Sequence, residues 1–192
     1  LEFRRVLFRS MDAMERIQLP KTDLTVARLC LGGNVFDWSA DEAQSHAVLN
    51  AYQELGGNFV DTADMYSEWA PGHIGGESEV VIGNWMRERK NRDNVIVATK
   101  VAKLSTRPGL SRANIIAACD DSLRRLQTDH IDLYYAHEDD QTVDLLETLG
   151  AFTELQQAGK IRYAAASNYT GARLREAAAV SRENNLTEYV TV

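Results

Sequence analysis

Four residues of reactive type stand at or shortly after short apolar runs: Asp61, Tyr66, Lys100 and His137. A tyrosine is a poor acid or base at neutral pH, but a nearby ammonium group favours the phenolate and lowers the tyrosine pKa. A carboxylate beside the lysine would keep it charged and oriented, and an imidazole could hydrogen-bond a substrate oxygen and relay a proton. Such a set could protonate a carbonyl oxygen as negative charge develops on it. This indicates hydride transfer to an aldehyde or ketone, with the hydride supplied by a cofactor.

The elements that must position these residues alternate between short β-type runs and longer amphipathic runs, without a linker between domains. The pattern predicts six strands, at 27–32, 58–61, 95–100, 131–137, 162–167 and 189–192. It predicts five helices between them, at 41–55, 77–89, 111–126, 142–158 and 170–184. Such alternation implies parallel strands joined by right-handed crossovers. The strands begin about every 32 residues, which is typical of a doubly wound sheet or of a (β/α)8 barrel.

Two observations favour the barrel. The first strand is not followed by a dinucleotide-binding glycine loop, because Gly32 and Gly33 lead directly into Asn34, and no P-loop is present. Residues of reactive type also follow several different strands, whose carboxyl ends would all open on the same face of a barrel.

Several segments resemble the aldo-keto reductase family in their order and spacing, from about residue 15 to the end. They are GNFVDTADMY (57–66), GESE (76–79), IVATK (96–100), SLRRL (122–126), HIDLYYAH (130–137), GKIR (159–162) and SN (167–168). The resemblance implies a (β/α)8 barrel that reduces a small-molecule carbonyl with NADPH, or less often NADH.

The resemblance also assigns roles to individual residues. Tyr66 would be the general acid, Lys100 would lower its pKa, Asp61 would pair with Lys100, and His137 would orient the carbonyl. Cofactor contacts would come from Gly33, Asn34, Asp61, Ser167 and Asn168, although Ser167 and Asn168 could instead only cap the following helix. Trp38 and Trp69 would line the substrate pocket together with His137, although packing would explain these tryptophans equally well.

The length of 192 residues is short for this fold, since eight units of this period need roughly 256 residues from the first strand. We expect residues 1–10 to be a non-native or disordered leader before Met11. We expect residues 11–192 to be the N-terminal part of the barrel, with about five βα units and a sixth strand. The chain would then contain the proton-transfer residues but lack most of the cofactor site, and it would be inactive alone.

Composition and net charge argue against several classes of function. The net charge of −7 argues against nucleic-acid binding, and no apolar run is long enough to span a membrane. The two cysteines are expected to be buried and reduced in the cytoplasm, and no metal-binding spacing is present. The main alternative is a cofactor-binding regulatory module on the same fold, like a potassium-channel β-subunit. A phosphate-sugar isomerase barrel is a further alternative, and the oligomeric state is left open.

Overall fold

A computed structural model describes residues 14–192, so the expected leader at 1–10 lies outside the described residues. The strands of this part are β1 (Arg16–Gln18), β2 (Thr25–Ala27), β3 (Leu31–Gly32), β4 (Phe59–Asp61), β5 (Ile96–Val101), β6 (Ile131–Ala136) and β7 (Ile161–Ala166). Its helices are α1 (Glu42–Glu54), α2 (Glu77–Arg89), α3 (Arg112–Leu126), α4 (Leu145–Gln157) and α5 (Gly171–Asn184).

Strands β3 to β7 form one parallel sheet, and their order in the sheet follows their order in the chain. A doubly wound sheet would instead reverse direction at a switch point and carry helices on both faces. Here helices α1 to α4 contribute to one hydrophobic cluster, and α4 and α5 contribute to a second. The cluster on the other sheet face contains residues of the strands, the hairpin and the segment after α5, but none of a helix. This one-sided arrangement is that of a barrel wall.

Strands β1 and β2 form an antiparallel hairpin that the sequence analysis missed. Leu24 and Val26 from this hairpin pack with Leu133 and Tyr135 on the inner face of the sheet. The side chain of Asn58 joins the hairpin to β4, since its Oδ1 accepts from the backbone N–H of β2 and its Nδ2 donates to a β2 carbonyl. The hairpin therefore covers the inner face at the amino-terminal ends of the strands.

Two predicted strands differ from the structure. The strand predicted at 27–32 is wrong over most of its length, because Ala27 belongs to the hairpin and only Leu31–Gly32 pairs with β4. The segment 189–192 is not a regular strand. It nevertheless lies along β7, where the Val190 amide donates to the Ala164 carbonyl at 3.0 Å.

All five predicted helices are confirmed, with ends that differ by up to three residues. Side chains cap four of them at the amino end by accepting backbone N–H bonds: Asp41, Ser111, Asp144 and Thr170. Helix α4 begins three residues later than predicted, because Asp144 is its cap.

Candidate active site

The four residues predicted to carry the chemistry lie together at the carboxyl ends of three neighbouring strands. Asp61 is the last residue of β4, Lys100 is near the end of β5, and His137 directly follows β6. Tyr66 is carried by the loop between β4 and α2. The backbone ladder continues past β6, since the His137 amide donates to the Val101 carbonyl at 2.9 Å. The parallel register thus brings residues from distant parts of the chain to one site.

The Lys100 ammonium is the centre of this site. Its Nζ donates to Asp61 Oδ1 at 2.5 Å, to the Thr62 carbonyl at 2.8 Å and to Tyr66 Oη at 3.2 Å. These three acceptors match the three hydrogens of an ammonium group. The side chain is buried, and this burial lowers the pKa of Lys100 even though the Asp61 carboxylate opposes the shift.

The Tyr66 hydroxyl lies between the two charged partners, because it accepts from Lys100 and donates to Asp61 Oδ2 at 3.3 Å. Burial raises the pKa of Tyr66, and the Asp61 carboxylate raises it further. The net direction of this shift is upward, and the expectation that Lys100 lowers the Tyr66 pKa stays a prediction. At neutral pH the phenol keeps its proton and can donate it.

The His137 imidazole faces the Tyr66 ring, with ring centroids 5.9 Å apart and planes at 74°. Burial lowers the pKa of His137 to about 3, and the positive charges of Lys100 and Lys103 act in the same direction. The imidazole is therefore neutral at physiological pH. Within residues 14–192 its buried Nδ1 atom has no hydrogen-bond partner, so it is free to bond to a ligand.

Of the residues predicted to contact a cofactor on the first strand, Gly33 is buried and Asn34 is exposed. A Cβ at Gly33 would lie 2.8 Å from Ser78 Oγ and 3.1 Å from the Asp61 carbonyl oxygen. Close packing alone therefore requires glycine at this position. Contact of Gly33 and Asn34 with a cofactor stays a prediction.

Ser167 and Asn168 lie beside His137 at the end of β7. The Asn168 backbone is left-handed, with a φ of 57°, and its Nδ2 donates to the His137 carbonyl at 2.8 Å and to Ser167 Oγ at 3.1 Å. The cap of α5 is Thr170, so neither residue caps that helix. Their contact with a cofactor also stays a prediction.

Trp38 and Trp69 come from different loops and meet at the mouth of the site. Their ring centroids are 5.4 Å apart with planes at 85°, and Trp69 lies 6.2 Å from the Tyr66 ring. About half of each tryptophan is exposed. Together with His137 they form an aromatic wall next to the Tyr66 hydroxyl.

The prediction that both cysteines are buried is wrong for Cys30, which is exposed, and is confirmed for Cys119. Although the residue as a whole is exposed, partial burial of the Cys30 thiol and the nearby Asp61 carboxylate raise its pKa to about 12. It is therefore protonated at neutral pH and a weak nucleophile.

Comparison with known protein families matches residues 28–192 to the Aldo/keto reductase family. The chain belongs to the aldo/keto reductase family. Its family fold is the (β/α)8 barrel, and the five parallel strands with helices on one face form an incomplete barrel of this kind. This agrees with the fold expected from the sequence.

Three relatives illustrate the similarity. The chain is 34% identical over 204 residues to Protein tas of Escherichia coli (strain K12), covering 93% of this chain and 59% of that protein. It is 32% identical over 188 residues to norsolorinic acid reductase B of Aspergillus parasiticus, covering 89% and 47%. It is 35% identical over 187 residues to the Bacillus subtilis protein named as oxidoreductase YrpG, covering 93% and 56%. The chain thus spans about half the length of these relatives.

In this aldo/keto reductase chain a second charged cluster lies at the opposite, amino-terminal ends of the strands, where it lines a cavity of about 370 Å³. Asp132 is buried there and accepts from Arg92 Nη2 and Arg162 Nη1, both at 2.8 Å. Its Oδ2 also accepts from the Val97 amide at 3.0 Å. The sequence analysis assigned no role to Asp132, and its bonds to both neighbouring strands indicate a structural one.

A third group of charges lies behind the Tyr66 loop. Glu79 is fully buried and accepts from Arg125 Nε and Thr99 Oγ1, both at 2.6 Å. Asp64 is also fully buried, but its carboxylate oxygens have no hydrogen-bond partner among the described residues. In the sequence, the one hint that Glu79 faces inward is its position three residues before Ile82, on the same face of the helix.

No helix of residues 14–192 is both long and apolar enough to cross a membrane. In the same range, no three or more His, Cys, Asp and Glu side chains are grouped so that they could hold a metal ion.

Proposed function

We propose that this protein is a carbonyl reductase that reduces aldehydes or ketones by hydride transfer from NADPH, with Tyr66 as the general acid. The observation that carries the proposal is the position of Lys100 Nζ, which bonds both the Asp61 carboxylate and the Tyr66 hydroxyl. A phenol held between a carboxylate and an ammonium group is suited to proton transfer. NADPH is preferred from the family resemblance, and NADH is the alternative donor.

The proton path follows from the hydrogen bonds. The bond from Tyr66 to Asp61 is long at 3.3 Å, so the hydroxyl can turn to a carbonyl oxygen at small cost. As that oxygen gains negative charge, the O–H bond of Tyr66 breaks and the proton moves to the substrate. The Lys100 ammonium stabilises the resulting phenolate, which regains a proton from solvent.

His137 would hold the substrate. A neutral imidazole can donate one hydrogen bond, and either ring nitrogen can carry the proton. Donation to the carbonyl oxygen would orient it toward Tyr66 and polarise it. The exposed rings of Trp38 and Trp69 would then contact the rest of the substrate.

The residues around His137 fit the nicotinamide end of the cofactor. A carboxamide offers one donor group and one acceptor, which the Ser167 hydroxyl and the Asn168 carboxamide complement. The buried Nδ1 of His137, which has no hydrogen-bond partner among residues 14–192, supports placing a ligand at this site. When bound, NADPH supplies the hydride, and Gly33, Asn34 and Asp61 would border it from the other side.

We also propose that residues 11–192 are the N-terminal part of the protein's barrel and that the 192-residue chain alone does not turn over. Within the described residues, β3 pairs with β4 only, so one side of the sheet has an open edge. The protein is proposed to act in the cytoplasm on a small-molecule carbonyl. No nucleic acid or membrane partner is proposed.

The test is NADPH oxidation in the presence of an aromatic aldehyde. It compares the 192-residue chain with the protein expressed together with the coding sequence that follows Val192 in its gene. We expect turnover in the extended protein and none in the shorter chain.

The Tyr66→Phe variant of the extended protein should lose about 100-fold or more in kcat. The control Tyr163→Phe removes a hydroxyl that bonds Asp23 at the other end of the sheet. Equal turnover by Tyr66→Phe and the unmodified protein would contradict the role of Tyr66. Tight NADPH binding with negligible turnover would favour the regulatory module.

A further inference from the structure

Ser67, the residue after Tyr66, has an unusual backbone. Its φ is 73°, in the left-handed region that glycine adopts easily and other residues rarely do. The residue is fully buried. A serine at this φ is strained and persists only where surrounding contacts hold it. The contact that holds it is therefore informative.

That contact joins two loops. Ser67 Oγ donates to the Phe36 carbonyl at 2.6 Å. Phe36 is buried in the loop between β3 and α1, and its amide turns back to the Gly33 carbonyl at 3.1 Å. The hydroxyl of Ser67 thus fastens the loop that carries Tyr66 to a compact turn of the neighbouring loop.

Each partner in this hydrogen bond lies two residues before a tryptophan. Phe36 precedes Trp38 in this way, and Ser67 precedes Trp69. The tryptophan rings then meet at 5.4 Å. Among the side-chain hydrogen bonds of residues 14–192, this is the one that joins segment 35–40 to segment 63–76. The bond to the Gly33 carbonyl from Ser78 Oγ lies nearer the strands and comes from α2.

We propose that Ser67 is a positioning residue: its hydroxyl bond to the Phe36 carbonyl sets the separation of Trp38 and Trp69 at the mouth of the site. This proposal rests on the proposed function in one respect, which is that Trp38 and Trp69 contact the substrate. Loss of the hydroxyl lets the two loops move apart, which widens the mouth and displaces Trp69 from Tyr66. Ser67 acts through these rings and touches no reacting atom itself.

The test is optical, so it does not depend on reductase activity. In the protein form used for the activity assay, the Trp38→Phe substitution isolates the part of the near-ultraviolet circular dichroism that comes from Trp38. This part is measured in unmodified protein and in the Ser67→Gly, Ser67→Ala and Ser181→Ala backgrounds. Ser181 is the matched control, because it is a buried serine whose hydroxyl also donates to a backbone carbonyl, that of Thr187.

Ser67→Gly relieves the left-handed backbone and should fold at least as well as the unmodified protein, whereas Ser67→Ala keeps the strain. We expect both Ser67 variants to lose most of the Trp38-dependent signal and Ser181→Ala to keep it. A full Trp38-dependent signal in Ser67→Gly would overturn the proposal, because the arrangement of the two rings would then not depend on the Ser67 hydroxyl. If the extended protein has no turnover but the Ser67 variants lose the signal, the proposed function fails and the positioning role stands. If turnover is present and Ser67→Gly keeps the signal, only the positioning role fails.

Discussion

The Lys100 Nζ atom lies 3.2 Å from the Tyr66 hydroxyl oxygen. Because the same ammonium bonds Asp61 at 2.5 Å, its charge is shared between a carboxylate and a phenol. Burial and the neighbouring Asp61 carboxylate favour the protonated tyrosine at rest. The nearby ammonium would stabilise a phenolate formed in the proposed reaction.

Replacing Lys100 by methionine should remove that stabilisation with little change in side-chain volume. We expect kcat in the extended protein to fall about 100-fold, as for loss of a single group that stabilises developing charge. Lys103→Met is the control, because it removes the same charge from an exposed side chain three residues further on. Similar rates for both variants would show that Lys100 has no special role.

The pH dependence of reduction should be flat across the neutral range. Tyr66, whose pKa is raised, stays protonated well into the basic range, and His137, with a pKa of about 3, stays neutral above about pH 5. We therefore expect kcat/KM to fall only at strongly basic pH, where Tyr66 loses its proton. An acidic limb in kcat/KM near pH 6.5 would mean that His137 titrates as an ordinary histidine.

Asp64 should make stability fall as pH rises. Burial and the Glu79 carboxylate raise the pKa of Asp64 to about 7, while Arg125 and Arg107 oppose this shift. The folded chain then binds a proton that the unfolded chain releases above about pH 4, so folding loses up to about 4 kcal/mol as pH rises through 7. Asp64→Asn should therefore gain stability relative to unmodified protein at pH 8 but not at pH 4.

Urea unfolding at several pH values measures this difference. Asp93→Asn is the matched control, because it makes the same substitution at an exposed side chain. A constant difference for Asp64→Asn would show that the buried carboxyl is not protonated in the folded state.

Asp132 should matter for stability but not for chemistry. Its substitution by asparagine breaks a buried ion-pair cluster with Arg92 and Arg162 and should cost about 3 kcal/mol in the free energy of unfolding. Asp120→Asn disrupts an equally short but exposed pair with Lys160 and should cost less than about 1 kcal/mol. The turnover of folded Asp132→Asn should be close to that of the unmodified protein. A cost near that of Asp120→Asn would contradict the structural role.

The helices were predictable because their amphipathic patterns and caps are local features of the sequence, as at Ser111. The hairpin was not, because every residue of Arg16–Gln18 is exposed and the strand lacks an apolar alternation. The strand at Leu31–Gly32 was predicted too long, because the run that leads to it begins at Ala27, which pairs with Arg16 in the hairpin instead.

At the site, residue types and their places after strands were enough to predict that Asp61, Lys100 and His137 would meet. The upward direction of the Tyr66 pKa shift was not predictable, because it depends on the burial of the hydroxyl and on its closeness to Asp61. The hydrogen bond from Lys100 to Thr62 could not be predicted from the sequence either, because its acceptor is a backbone carbonyl, which every residue carries.

Asp132 and His137 belong to the same run of chain, five positions apart, and so face opposite sides of the sheet. The hydrogen bonds that Asp132 accepts from Val97 and Arg162 hold the register of β6 against β5 and β7. A slip of one position would turn the imidazole toward the helices and empty the site. The ion-pair cluster at the far end of the strand therefore helps to hold the register in which Tyr135 lies opposite Lys100 and His137 follows two positions later.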